Sequence, residues 1–296
     1  MIAPVVPIFF IFFIGFLVQR KCSWDITPFS RLALTVFLPF LVFRSFYTYG
    51  LPLSSFYYAI YLIGVIGACL LLVVFVSWLQ RLSKEQTCGM MLSSAFSNNG
   101  NYGIPLVLFA FGGEAEVVAV LLMVMQQVLM HTVGFYIAAV GGQASKQING
   151  WHLLKMPILH GALAGLVLHW FTIKIPQPIE QAIQSLADAA VPLMMMILGM
   201  QLGSMIMRKL EWPRLGLTVT IKLVIAPLVA TFLVYWMPVT LLEKQVMIIL
   251  AATPAAANTT LYALQYHTDP GHVSAATFFS TLLSLFTIPL VLSILL

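Results

Sequence analysis

Apolar runs of roughly 17–25 residues, each closed by a short polar break, follow one another through the whole chain. As α-helices, runs of that length match the hydrocarbon core of a bilayer. Membrane strands need only about ten residues and alternate in polarity. Ten such spans are expected, at 3–19, 30–47, 56–79, 87–111, 115–140, 156–172, 183–207, 214–236, 243–266 and 272–295. Composition agrees, because 61% of the 296 residues are hydrophobic and 8% are charged. Soluble domains carry about 25% charged residues. The expected fold is therefore an all-α integral membrane protein. The first run lacks a basic leader and a small-residue cleavage site before Gln19-Arg20-Lys21, so it reads as a retained helix. The net charge of +5 would suggest nucleic acid in a soluble chain. Here the positions of the charges carry the information, and no nucleic-acid partner is expected.

Lysine and arginine favour cytoplasmic loops. With both termini outside, the inner loops hold Arg20, Lys21, Arg31, Arg81, Lys84, Lys146, Lys155, Arg208, Lys209 and Arg214. The outer loops hold only Lys174 and Lys244, and Arg44 and Lys222 fall within spans. Membrane lipids are thus the surroundings, and an inner (plasma) membrane with periplasmic or extracellular termini is expected. A linker at 141–155 divides the chain into halves of five spans, 1–140 and 156–296. Five is odd, so the second half would be inserted upside down relative to the first.

The fourth span is disturbed by Ser97-Asn98-Asn99-Gly100-Asn101-Tyr102-Gly103-Ile104-Pro105. Three amide side chains need partners, and Pro105 removes a backbone donor and crowds the carbonyl one turn earlier. Broken backbone at membrane depth is tolerated where it is buried in protein or lines a cavity. The ninth span carries a counterpart, Thr253-Pro254-Ala255-Ala256-Ala257-Asn258-Thr259-Thr260. Aligning Gln86 with Gln245 sets Asn99 opposite Asn258. Matched interruptions in two inverted halves point to a transporter binding site. The second and seventh spans also match, with Pro39 and Pro192 each followed by an unbroken apolar run.

Two broken helices crossing at mid-membrane bring half-helix N-termini together, and such ends attract anions. Asn98, Asn99, Asn101 and Asn258 add neutral donors, with Tyr102 in the same stretch, and Thr253, Thr259 and Thr260 add hydroxyls. Gly100 and Gly103 would allow close backbone approach or positive φ, and Pro254 would mark the second break. The plainer alternative is that these groups stitch helices together. Gln126 and Gln127 point about 100° apart on the fifth span, so one should face the crossing directly. Lys222 either neutralises a carboxylate, occupies a cation position at the crossing, or snorkels to the inner surface.

Residues Asn98 to Pro105 resemble the Asn-x-Gly-x-x-Gly-x-Pro pattern of the auxin efflux carrier family. Thr253-Pro254 through Asn258 to Tyr266, Asp269, Thr281 to Ser284, Pro289 and Pro39 are similar to other parts of it. The chain lacks the long cytoplasmic loop of the plant carriers, so it looks like a short bacterial-type member and auxin is not the expected substrate. The resemblance implies a five-plus-five inverted repeat with crossed fourth and ninth helices, as in the more distant bile-acid symporters and sodium/proton antiporters. It also implies a scaffold of spans 1, 2, 6 and 7, often dimeric, and a transport domain of spans 3–5 and 8–10 moving as an elevator.

The function expected is secondary transport of a small organic anion, a mono- or dicarboxylate. Sodium-coupled transport of a bulkier anion, or sensing of a carboxylate without flux, are the alternatives. Asp188 is open between an interfacial and a coupling role, and Arg44 is expected to reach the headgroups. His131 either takes up a proton or packs as a neutral group. Cys22, Cys69, Cys88 and Met194-Met195-Met196 read as packing residues. There is no catalytic grouping, phosphate loop or metal spacing, so no catalysis, metal or cofactor is expected.

Overall fold

The computed structural model describes residues 6–52, 54–142, 156–204 and 211–295. Most of the 141–155 linker lies outside these, as do Lys146, Lys155, Arg208 and Lys209. The elements are α1 (Val6–Cys22), α2 (Thr27–Tyr49), α3 (Ser55–Gln80), α4 (Lys84–Ala95), α5 (99–111), α6 (Gly113–Gly141), α7 (Pro157–Trp170), α8 (Gln177–Ser204), α9 (Trp212–Tyr235), α10 (Leu241–Ala251), α11 (Ala257–Tyr266) and α12 (Pro270–Leu295). Among the described residues, six helices are long and apolar enough to cross a membrane: α2, α3, α6, α8, α9 and α12. The other expected spans are shorter helices. α1 has 17 residues and α7 has 14, while the fourth and ninth spans each divide into two pieces, α4 with α5 and α10 with α11.

Three helices widen by a π turn that ends two residues before a proline: Ala33–Phe37 before Pro39, Asn99–Gly103 before Pro105, and Ile221–Ile225 before Pro227. A proline removes one helical donor and clashes with the carbonyl four residues back, and a widened turn accommodates both.

The half-helices α4 and α10 begin alike. Ser83 and Gln86 form a reciprocal capping box, and so do Thr240 and Glu243. These boxes pair Gln86 with Glu243, a register two residues away from the Gln86–Gln245 alignment. Each half-helix then stops at a break, and the breaks meet as an isolated antiparallel bridge between Ser97 and Ala255. The Asn98 N–H donates to the Pro254 carbonyl at 2.9 Å, and the Ala256 N–H to the Phe96 carbonyl at 3.0 Å. Backbone groups that lose their helical partners therefore satisfy one another where no water can.

Elsewhere close helix contact depends on absent side chains. A Cβ on Gly199 of α8 would lie 2.0 Å from the Phe12 carbonyl oxygen of α1, and one on Gly161 of α7 would lie 2.4 Å from that of Pro39 in α2. Small residues permit such approach between membrane helices, where dispersion replaces the hydrophobic drive.

Candidate functional site

The crossing has two unlike sides. One faces a cavity of about 20 Å³ lined by Ser97 to Asn101, Gln126, Gln127 and Ala256 to Asn258, with Leu34 and Leu38 of α2 as an apolar wall. The starts of α5 and α11 both border it, so the positive ends of two half-helices share one space. The 20 Å³ has room for roughly one water. Two residues on its walls each carry a buried polar atom with no partner among the described residues: the Asn98 amide nitrogen, a donor, and Gln127 Oε1, an acceptor. Buried polar groups are normally paired, so these two stand out.

Gln126 fixes the first break. Its Nε2 donates to the Ser97 carbonyl at 2.6 Å, and its Oε1 accepts from Asn99 Nδ2 at 2.9 Å. Only one of the two glutamines was expected to face the crossing. In fact Gln126 anchors the break while Gln127 lines the cavity.

On the other side, Lys222 of α9 is 1% exposed. Its Nζ donates to Ser97 Oγ at 2.5 Å and to the Ala251 carbonyl at 3.0 Å. Ala251 ends α10, so a cation sits at the negative end of a half-helix. The snorkelling reading of Lys222 is thereby corrected: the side chain runs to the crossing, not to the surface.

Asn98, Asn99, Asn101, Gln126, Gln127 and Asn258 are thus brought together, with Lys222 behind them across Ser97. Four other expected site residues do not line this cavity, among them Thr260, whose hydroxyl lies 3.4 Å from that of Thr277. Tyr102 is fully buried against Phe9 and Phe12 of α1 and accepts a hydrogen bond from Ser284 Oγ at 2.9 Å. Thr253 bonds the Leu250 carbonyl and lies 3.4 Å from Asn99 Oδ1, so it backs the site. Thr259 turns its hydroxyl onto the Ala256 carbonyl at 2.7 Å. The glycines divide as well. A Cβ on Gly103 would meet Leu250 at 2.5 Å, whereas Gly100 has only Met123 at 3.9 Å and takes no positive φ, so close packing does not require a glycine there.

Ser97 is the linking residue not singled out beforehand. It joins the bridge, Gln126 and Lys222, and only its place at the head of the asparagine stretch could have marked it. One turn beyond Gln127, His131 donates from Nδ1 to the Gln127 carbonyl at 2.8 Å and packs edge-on to Tyr262. Arg44 is engaged by two acids. It binds Asp188 at 2.5 Å and Glu116 at 3.2 Å.

The apolar helices and the paired polar breaks define a multi-pass membrane protein of the transporter class. The chain belongs to the membrane transport protein family, the auxin efflux carrier family, whose profile matches residues 1–292. It is 28% identical to an "Uncharacterized transporter" of Methanothermobacter thermautotrophicus, over 90% of this chain and 88% of that one. A second protein so named, from Methanocaldococcus jannaschii, is 27% identical over 71% of this chain and 69% of its own. A protein of Rhizobium meliloti named "Putative malonate transporter" is 24% identical, covering 96% of this chain and 92% of that protein.

Proposed function

We propose that the chain carries a small carboxylate, of the size of malonate, across the inner membrane by alternating access. One observation carries this reading. Asn98, whose buried amide nitrogen has no partner among the described residues, borders a cavity shared by the starts of two half-helices, next to Asn101 and Asn258. Neutral amides and helix ends hold a carboxylate without the cost of burying a bare cation. The cavity is too small for a dicarboxylate, so loading requires the apolar wall of α2 to part from the crossing. That fits an elevator in which α3–α6 and α9–α12 move against α1, α2, α7 and α8, within a ten-span, five-plus-five inverted repeat. The division into repeats at 1–140 and 156–296, a homodimer through the scaffold, and termini on the periplasmic side belong to the same reading.

Lys222 bears on coupling. Its ammonium holds the α10 carbonyl end and Ser97, a position from which a bound metal cation would be repelled. Transport is therefore expected to proceed without a sodium gradient.

The test is uptake of labelled malonate and other carboxylates into proteoliposomes, with sodium and proton gradients imposed separately. Uptake should saturate and should need no sodium. Asn98→Ala should raise the half-saturating concentration by roughly ten- to a hundredfold, the worth of one charge-assisted hydrogen bond. Normal kinetics in both Asn98→Ala and Asn258→Ala would remove the site. Binding without flux would favour a receptor, and uptake only with sodium would favour a symporter.

A further inference from the structure

A second polar cavity, of about 370 Å³, opens beside Gly113 and Tyr49, on the side that the charge bias assigns to the outside. Arg44 and Ser45 of α2, Gln184 and Asp188 of α8, and Glu116 of α6 border it. Arg44 holds both acids, and Gln184 Nε2 adds hydrogen bonds to Asp188 at 3.0 and 3.1 Å. The three charges are unequal in attachment. Arg44 and Asp188 lie on α2 and α8, which the elevator reading makes one body. Glu116 alone rides on α6, in the other. Glu116 is also the buried acid, its side chain 9% exposed against 60% for that of Asp188.

We propose that Glu116 is a proton-binding site that controls the separation of α6 from α2 and α8, an inference that rests on the elevator reading. Sliding leaves Arg44 with Asp188 and deprives Glu116 of its cation. A buried carboxylate without a counterion is strongly disfavoured. The positive end of α6 offsets part of that loss, but less than a pair supplies. Taking a proton from the cavity onto a Glu116 carboxylate oxygen removes the charge and with it the obstacle. When the pair re-forms, the proton returns to the same cavity. The site therefore gates movement by outer pH and does not itself carry protons across. The charges acting on Glu116 are those of Arg44 from α2 and Asp188 from α8. Tyr49 also borders the cavity, and Glu114 on the same turn of α6 is exposed. The other helices against α6 direct their polar groups elsewhere: on α3, Tyr58 donates to Glu243 of α10 and Tyr61 to the Met247 carbonyl.

Val191 of α8 borders the cavity at 5% exposed and would be uncovered by the movement. The experiment is labelling of Val191→Cys by a membrane-impermeant maleimide, in a chain with Cys22, Cys69 and Cys88 changed to serine. Rates are normalised to thiolate fraction between about pH 5 and about pH 8. The normalised rate should rise as pH falls. With Glu116→Gln added it should become flat, and about tenfold faster than the parent at the alkaline end. Asp188→Asn should still show a rate that rises as pH falls, with the rise moved to lower pH because one of the two charges acting on Glu116 is gone. A flat profile in the parent, or an unchanged profile in Glu116→Gln, overturns the assignment while leaving the movement intact. The parent profile decides the matter even if Glu116→Gln does not fold. No labelling at any pH overturns both the movement and the proton site. Malonate uptake, measured separately, tests the carboxylate reading alone.

Discussion

Gln126 holds the first break by two hydrogen bonds of opposite sense, so two substitutions separate its roles. Gln126→Ala leaves the Ser97 carbonyl and the Asn99 amide without partners. It should lower stability by about 1–3 kcal/mol in detergent thermal unfolding. Gln126→Glu keeps an acceptor for Asn99 but sets a carboxylate against the Ser97 carbonyl and beside the anion position. Malonate affinity should then fall at least about tenfold, a loss that a cationic test solute would not share. Lys222 behaves differently. Among the described residues no carboxylate pairs with it; its partners are a hydroxyl and a carbonyl. Burying an ammonium on two neutral acceptors costs more than it returns, and replacing buried charges by apolar groups of like volume is often neutral or stabilising. Lys222→Met should therefore unfold at the same or a higher temperature while uptake drops about tenfold or more. A large fall in melting temperature would show that the lysine is structural.

The packing of α1 on α8 rests on the backbone approach at Gly199. Gly199→Ala forces a methyl to 2.0 Å from the Phe12 carbonyl oxygen and should destabilise by about 1–3 kcal/mol. Gly216 is the control. It lies in α9, is exposed, and would have nothing within 4 Å of an added methyl, so Gly216→Ala should stabilise by about 0.5–1 kcal/mol. Thermal unfolding of both variants checks the contrast. Elements were the most legible part of the sequence, because apolar length and proline position act locally. Asn98 to Pro105 and Thr253 to Thr260 could be read as breaks, since amides and prolines in an apolar run leave polar groups that lipid cannot satisfy. Which way each side chain turns was not legible. Tyr102 and Thr259 belong to the two breaks yet face away from the cavity, because a π turn and a fresh helix start reset the angular register. Glu116 was invisible for another reason. Its importance comes from Arg44, 72 positions away in the chain, and only the fold brings them together.

At the scale of the whole molecule, the charge bias makes a topological prediction that needs no engineering. Cys22 is exposed at the end of α1 beside Arg20 and Lys21, whereas Cys69 and Cys88 are buried. An impermeant maleimide should leave Cys22 unmodified in intact cells and label it in inverted vesicles; the reverse would turn the molecule over in the membrane. The meeting of the two breaks has a consequence for how such a molecule can diverge. Main-chain atoms join Asn98 to Pro254 and Ala256 to Phe96, and every amino acid supplies those carbonyls while all but proline supply those N–H groups. The side chains at 98, 101 and 258 are thereby released from holding the crossing together. Lineages can exchange them to suit a different cargo, one position at a time, without passing through an unfolded intermediate.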